Sequence, residues 1–289
     1  MRIFLLGAGY SALAFARLIA DKSQSIIGTT RSTENFASLK KAGITPILFN
    51  GETLQPDLLE ALSDASHIVV SIAPQKNGDP ALPVVESALT RPENNIKWIG
   101  YLSTVGVYGD HKGHWVDEDT PCNPISSRSI ERLQAEQAWE ALGQRFDLPV
   151  ARLRLSGIYG PGRNAFINLE RGTARRIVKN GQIFNRIHVD DIAGALQFLS
   201  ARGAAGIFNV TDNEPTPPQD VVTYAAQLMA VTPPEEIPFE RAEMSPMARS
   251  FYGENKRVSN QRLKSLGYDF IYPDYRIALS AMWNNANWR

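Results

Sequence analysis

MRIFLLGAGYSALAFARLIADKSQSIIGTTRS, residues 1–32, decides the fold. Its apolar run at 3–6 reads as a buried strand, broken by Gly7-Ala8-Gly9-Tyr10-Ser11-Ala12. A helical pattern follows, with Leu13, Ala16, Leu18 and Ile19 apolar. Strand, glycine turn and helix in this order match the dinucleotide fingerprint G-x-G-x-x-G/A, which offers the N–H groups of a helix start to a pyrophosphate. In that role Gly7 supplies the tight turn, Gly9 the bare backbone and Ala12 the small contact between helix and strand. Tyr10 and Ser11 complete the candidate cofactor contacts of the turn.

The second strand, at 25–30, bears on which dinucleotide is held. Binders of NAD carry an acid about 20 residues after the glycines, placed on the ribose 2′-hydroxyl. Here Thr29-Thr30-Arg31-Ser32 stands in that place, without an acid. A guanidinium beside hydroxyls suits a 2′-phosphate, so Thr30 and Arg31 are assigned to the cofactor, and NADP is expected rather than NAD. The plainer reading of Arg31 is a solvated loop cation.

Bulk composition narrows the class. At 289 residues, 43% apolar and 21% charged, the chain is ordinary globular protein with room for one large α/β domain and a smaller lobe. Lysine plus arginine (30) balance aspartate plus glutamate (30), which gives no bulk attraction to nucleic acid or an anionic membrane. The single cysteine, Cys122, excludes an internal disulfide and fits a reducing cytoplasm. Arg17 and Asp21 interrupt the N-terminal apolar run, which argues against a signal peptide, and no run reaches membrane-spanning length. A cytoplasmic protein with a small-molecule substrate is expected, without nucleic-acid or membrane partners and without a metal, and compatible with a homodimer.

Strand and helix signals alternate beyond the opening stretch. Helices are expected at 34–41, 57–62, 83–89 and 133–142, and strands at 45–49, 67–72, 97–102, 150–155 and 206–210. Such alternation builds a parallel sheet covered on both faces, the Rossmann-type doubly wound α/β class with about seven strands. Ala73 and Ser156 follow the fourth and sixth strands, where ligands of such sheets lie, and are assigned to the cofactor. Residues 166–178 read as a basic helix carrying Arg171, Arg175 and Arg176. From Asn213 prolines punctuate short helices, and Tyr252, Leu263, Leu266, Tyr268, Phe270, Tyr272, Tyr275 and Trp283 call for burial in a packed lobe. The expected division is 1–156 plus 187–212 for the dinucleotide domain, and 157–186 plus 213–289 for a small C-terminal substrate lobe.

Three further motifs join the glycine turn: S-T-x-x-V-Y-G at 103–109, L-R-x-S-G-I-Y-G-P-G at 153–162 and I-H-V-D-D-I-A at 187–193. Together they resemble the extended short-chain dehydrogenase/reductases, the nucleotide-sugar epimerases and dehydratases, from residue 1 to about 210. The resemblance implies a seven-stranded sheet holding the dinucleotide and a lobe that closes over a substrate. It also implies a serine or threonine, a tyrosine and a lysine at the chemistry, with Thr104 matching the first. The flanks Asn123-Pro124 and Ala135-Glu136 place Arg128 at the tyrosine and Arg132 at the lysine. Arginine keeps its proton, so Arg128 is no general acid or base, whereas Arg132 suits ribose hydroxyls. The candidate catalytic set is therefore Thr104, Arg128, Arg132 and Tyr108.

Two more departures bear on substrate. Phe184-Asn185-Arg186 stands where the family often has an arginine, an acid and an aromatic residue, the arginine meeting a nucleotide diphosphate. Arg163, Arg171, Arg175, Arg176 and Arg186 instead crowd the lobe-forming segment, and convergence of several would mark an anionic ligand. Loss of the tyrosine together with G-D-H-x-G-x-W at 109–115 resembles the atypical members, which keep the cofactor fold. His111, His114, Tyr108 and Tyr159 are then candidate proton carriers, against the plainer expectation of local loop bonds. Two readings follow: an NADP-dependent oxidoreductase or epimerase-like enzyme for a small anionic or sugar-like substrate, or a non-catalytic NADP(H)-binding sensor or scaffold.

Overall fold

The structure, a computed structural model, describes residues 1–51 and 55–289. Strands β1 (Arg2–Leu6), β2 (Ser25–Thr30), β3 (Thr45–Leu48), β4 (His67–Val70) and β5 (Trp98–Thr104) alternate with helices α1 (Tyr10–Ile19), α2 (Phe36–Lys41), α3 (Pro56–Asp64) and α4 (Leu82–Leu89). A short strand, β6 (Trp115–Val116), precedes the long helix α5 (Ser127–Arg145). Then come β7 (Val150–Leu155), β8 (Gly157–Tyr159), α6 (Ala165–Glu170), β9 (Arg176–Val178), β10 (Arg186–His188), α7 (Val189–Ala201) and β11 (Gly206–Val210). The chain ends with α8 (Pro218–Leu228), β12 (Glu236–Pro238), α9 (Pro246–Ser250), β13 (Arg257–Val258), α10 (Gln261–Ser265) and α11 (Tyr275–Asn284).

Seven strands form a parallel Rossmann-type sheet in the order β11-β7-β5-β4-β1-β2-β3. The order reverses between β1 and β4, and ligands of such sheets bind beyond the carboxyl ends of the strands at that switch. The central strands are continuous apolar runs because helices cover both faces. Phe4, Leu6, Ile68, Val70 and Ile99 pack with Leu58 and Leu62 of α3, Val85 and Ala88 of α4, and Trp139 of α5.

Contacts divide the chain into two units: Met1–Val107, Ser127–Arg154 and Ile192–Phe208 in the first; Tyr108–Ser126, Leu155–Asp191 and Asn209–Arg289 in the second. Residues 108–126, expected with the dinucleotide domain, pack in the second unit. There Lys256 Nζ donates to Gly109 O at 2.7 Å, and β6 pairs with β13. Gly109 is fixed as glycine by φ 74° and by Asn123 O, only 1.9 Å from where a Cβ would sit. The second unit has its own core, built from Phe166 and Ile167 of α6, Ala225 of α8, Tyr275, Leu279 and Met282 of α11, and Trp288. Leu266, expected inside, is exposed at the end of α10.

The basic helix expected over 166–178 does not form. α6 stops at Glu170, Gly172 turns left-handed at φ 65°, and Arg176–Val178 pair with β12 as a strand. Ile177 and Val178 are β-branched and suit that pairing. Among the described residues no helix is long and apolar enough to cross a membrane.

Candidate functional site

In the first unit the glycine turn lies at the β1/β4 switch and is clamped from both neighbouring strands. Gly7 has φ 93°, and a Cβ there would stand 2.9 Å from Ser71 Oγ and 3.2 Å from Ile72 N. Its N–H donates to Thr29 Oγ1 at 2.8 Å, while the Ser71 hydroxyl donates to Gly7 O. Gly9 is the N-cap of α1, supplies no side-chain cap, and has nothing within 4 Å of a built Cβ. An uncapped helix start with bare space beside it fits a pyrophosphate. Ala12 is wholly buried against the sheet, Ser11 is buried and Tyr10 half-buried.

At the end of β2, Thr30 Oγ1 accepts from Asn35 Nδ2 at 3.0 Å, and the Ser32 hydroxyl accepts from Glu34 N at 3.2 Å. These hydroxyls brace the loop. Arg31 between them is exposed, and among the described residues no ion pair engages it. Ala73, beyond β4, is also exposed.

β5 ends at Thr104, whose Oγ1 accepts from Gly106 N at 3.1 Å. α5 starts tight against this turn, since a Cβ on Gly106 would lie 2.8 Å from Ser129 Oγ. Arg128, in the first turn of α5, is exposed. Arg132 turns inward: Nη1 donates to Leu102 O at 2.8 Å and Tyr101 OH at 3.2 Å, and the guanidinium lies 5.6 Å from the Tyr101 ring centre. Burial raises the Tyr101 phenol, an effect that Arg132 opposes.

Sequence reasoning missed two buried supports of this helix. Asp79 accepts from Trp139 Nε1 and Ala81 N, both at 2.9 Å, and burial raises its carboxyl despite them. One turn beyond Arg132, Glu136 takes the Ser103 hydroxyl and a forked pair of bonds from Arg154, with Nη2 at 2.8 Å. The signal was available: an arginine inside the apolar strand V-A-R-L-R-L needs a buried acid.

Several other predicted residues serve structure. Tyr108 is fully buried and donates to Asn209 Oδ1 at 2.8 Å. His111 Nε2 and His114 Nδ1 bond the carbonyls of Tyr108 and His111 at 3.1 and 2.9 Å, the plain local pattern. The Ser156 hydroxyl is spent on Val210 O at 3.3 Å. In I-H-V-D-D, Asp191 accepts from Ile271 N at 2.7 Å and Tyr272 N at 2.9 Å, tying the start of α7 to the following lobe segment.

The arginines of the lobe disperse. Arg163 and Arg171 are exposed, Arg175 donates to Glu243 O, and Arg176 pairs with Glu236. Arg186 alone turns toward buried polar groups, near Tyr159 and Asp212. A separate open cavity of about 790 Å³ in the second unit has walls of Ile177, Phe184, Met244, Met247, Phe251 and Tyr252. Among the described residues no group of His, Cys, Asp and Glu is arranged to hold a metal ion.

A family model described as the NAD dependent epimerase/dehydratase family matches residues 3–211. A 3-diazoavenalumate denitrifying reductase from a Streptomyces species is 26% identical over 179 residues, 57% of this chain and 55% of its own length. The chain thus spans about half of that relative. Over whole chains, a functionally unknown conserved protein from Silicibacter pomeroyi DSS superposes with a TM-score of 0.89 at 43% identity, covering 99% of both. A Methylobacillus flagellatus structure described as a NAD-dependent epimerase/dehydratase gives 0.73 at 27% identity, covering 99% of this chain and 98% of its own.

Proposed function

Because the chain belongs to the NAD dependent epimerase/dehydratase family, we propose that it holds NADP(H) on its glycine turn and acts on a small anionic or sugar-like molecule. When bound, the nicotinamide supplies a hydride donor or acceptor. Gly7, Gly9, Tyr10, Ser11 and Ala12 hold and shape the pyrophosphate site; Thr30 and Arg31 take the 2′-phosphate. Ala73 borders the cofactor, and Arg132, fixed by Leu102 O and Tyr101, offers its remaining donors to the ribose. Thr104 bonds the reacting oxygen. One observation supports the cofactor choice: Arg31 stands exposed just past the end of β2, and no acid stands at positions 29–32. Arg31→Ala is expected to weaken NADPH by about 1.5–3 kcal/mol and leave NADH unchanged, as measured by calorimetric titration. Equal losses for both cofactors would overturn the assignment.

Arg128 favours a second reading, an NADP(H)-binding sensor or scaffold without turnover. It cannot move a proton, and Tyr108, His111 and His114 are committed to local bonds. The Streptomyces relative is by name a reductase, which supports turnover instead. Cofactor absorbance that stays constant with a panel of carbonyl substrates would favour the sensor.

A further inference from the structure

Among the described residues, the second unit holds a guanidinium that no salt bridge engages, with Asp212 the acid that acts on it most. Arg186 opens β10 and donates from Nη1 to Phe184 O and Thr216 O, each at 3.1 Å. Among the described residues it forms no ion pair, a costly state for a charge set among buried groups. Of the other acids around it, Glu214 pairs with Arg276, and Asp274 caps α11 by accepting from Ile277 N at 2.9 Å.

Alternate residues of a strand share a face, so Arg186 and His188 project together. The parallel register sets Tyr159 of β8 beside His188, with ring centres 5.4 Å apart. Asp212 comes to the same place, its N–H donating to Arg186 O at 2.8 Å. The Tyr159 hydroxyl and Asp212 Oδ2 are both buried, and among the described residues neither has a hydrogen-bond partner. Asp212 is itself only 2% exposed.

We propose that Arg186, Tyr159 and Asp212 form a subsite for a carboxylate group of the substrate, the guanidinium taking one oxygen edge and the two hydroxyl donors completing the grip. Burial pushes the Asp212 carboxyl up to about 8, although Arg186 opposes this, so at neutral pH it carries a proton and donates. His188 adds no charge, because burial holds it down at about 4 and its Nδ1 accepts from Asp190 N at 3.2 Å. A lining of donors selects an acceptor, and one net positive charge selects a monoanion. A phosphate dianion would bring a second, uncompensated buried charge. The subsite deepens the reading above by giving its substrate a carboxylate, and rests on it only for the role of the bound molecule.

The test is calorimetric titration with benzoate and glucuronate, their neutral amides, and inorganic phosphate, with NADPH titrated into the same samples. Both carboxylates are expected to bind at neutral pH, the amides not, and phosphate more weakly than either carboxylate. Arg186→Gln should weaken carboxylate binding about tenfold or more, and Tyr159→Phe about threefold or more. Asp212→Asn keeps a donor in place, so it should bind at neutral pH and still bind at about pH 9, where the wild type loses affinity. Wild type that ignores both carboxylates, or binds phosphate more tightly than either, overturns the subsite. So does a folded Arg186→Gln or Tyr159→Phe with wild-type carboxylate affinity. Because NADPH is read separately, loss of the subsite with NADPH still bound leaves the cofactor reading standing, and failure of wild type to bind NADPH sinks that reading alone.

Discussion

Arg128 and Arg132 stand one turn apart on α5, and Arg132 reaches back to the strand beneath, at Leu102 O. The motifs align both with the lost tyrosine and lysine, but do not say what Arg132 meets. That depended on Tyr101 and on the carbonyl of Leu102, which no motif marks. Buried titratable groups are similarly silent in sequence. Burial pushes the Asp212 carboxyl up to about 8, above the ordinary 3.8. The folded state therefore keeps a proton that the unfolded chain releases, and this stabilising contribution is full below the ordinary carboxylate range and lost as pH rises through about 8. His188 works in the opposite direction, but its window closes near the ordinary histidine value of 6.5. Denaturation midpoints of the wild type should therefore fall relative to those of Asp212→Asn as pH rises from about 4 to about 8, since His188 is common to both proteins. Parallel curves for the two proteins would count against the raised carboxyl. Asp79, Glu118 and Asp191 are also raised by burial, but both proteins share them.

At the scale of elements, the opening strand, turn and helix were legible because each used a strong local rule. The apolar run had to be buried, and glycine stood where φ is positive and a neighbouring backbone comes close. Gly7→Ala should cost stability, by about 1–3 kcal/mol, because its φ of 93° is strained for alanine and Ile72 N leaves little room. Chemical denaturation measures it; a stability equal to the wild type would mean that the turn tolerates a side chain. Residues 166–178 show the opposite case. The stretch reads as a basic helix, but Gly172 and the distant partner β12 made the last part a strand. Such pairing lies about sixty residues away in sequence and has no local signal. Helix α5 carries another hidden commitment, the Glu136–Arg154 pair, exposed by only 1% and 4%. Glu136→Gln strands the Arg154 charge in the core and should destabilise the fold by about 3–5 kcal/mol, read as a lowered denaturant midpoint. A shift below about 1 kcal/mol would instead describe a pair that water screens.

For the whole molecule, alternation of strands and helices was enough to foresee the seven-stranded sheet, since covered parallel strands leave a plain apolar record. The division into units was less legible. Residues 108–126 follow a sheet strand in sequence but are held by Asn255, Lys256 and β13, which lie some 145 residues downstream. The glycine turn lies within the first unit, and Gly9 is its cleanest probe. Its φ of −90° is open to any residue, and nothing lies within 4 Å of an added Cβ, so Gly9→Val should fold normally while filling the place of the pyrophosphate. The decisive measurement is titration of NADPH and NADH into wild type and Gly9→Val, with folding checked by thermal denaturation. The wild type should bind NADPH more tightly than NADH, and the folded variant should bind neither. A folded Gly9→Val that binds NADPH as the wild type does would contradict the account.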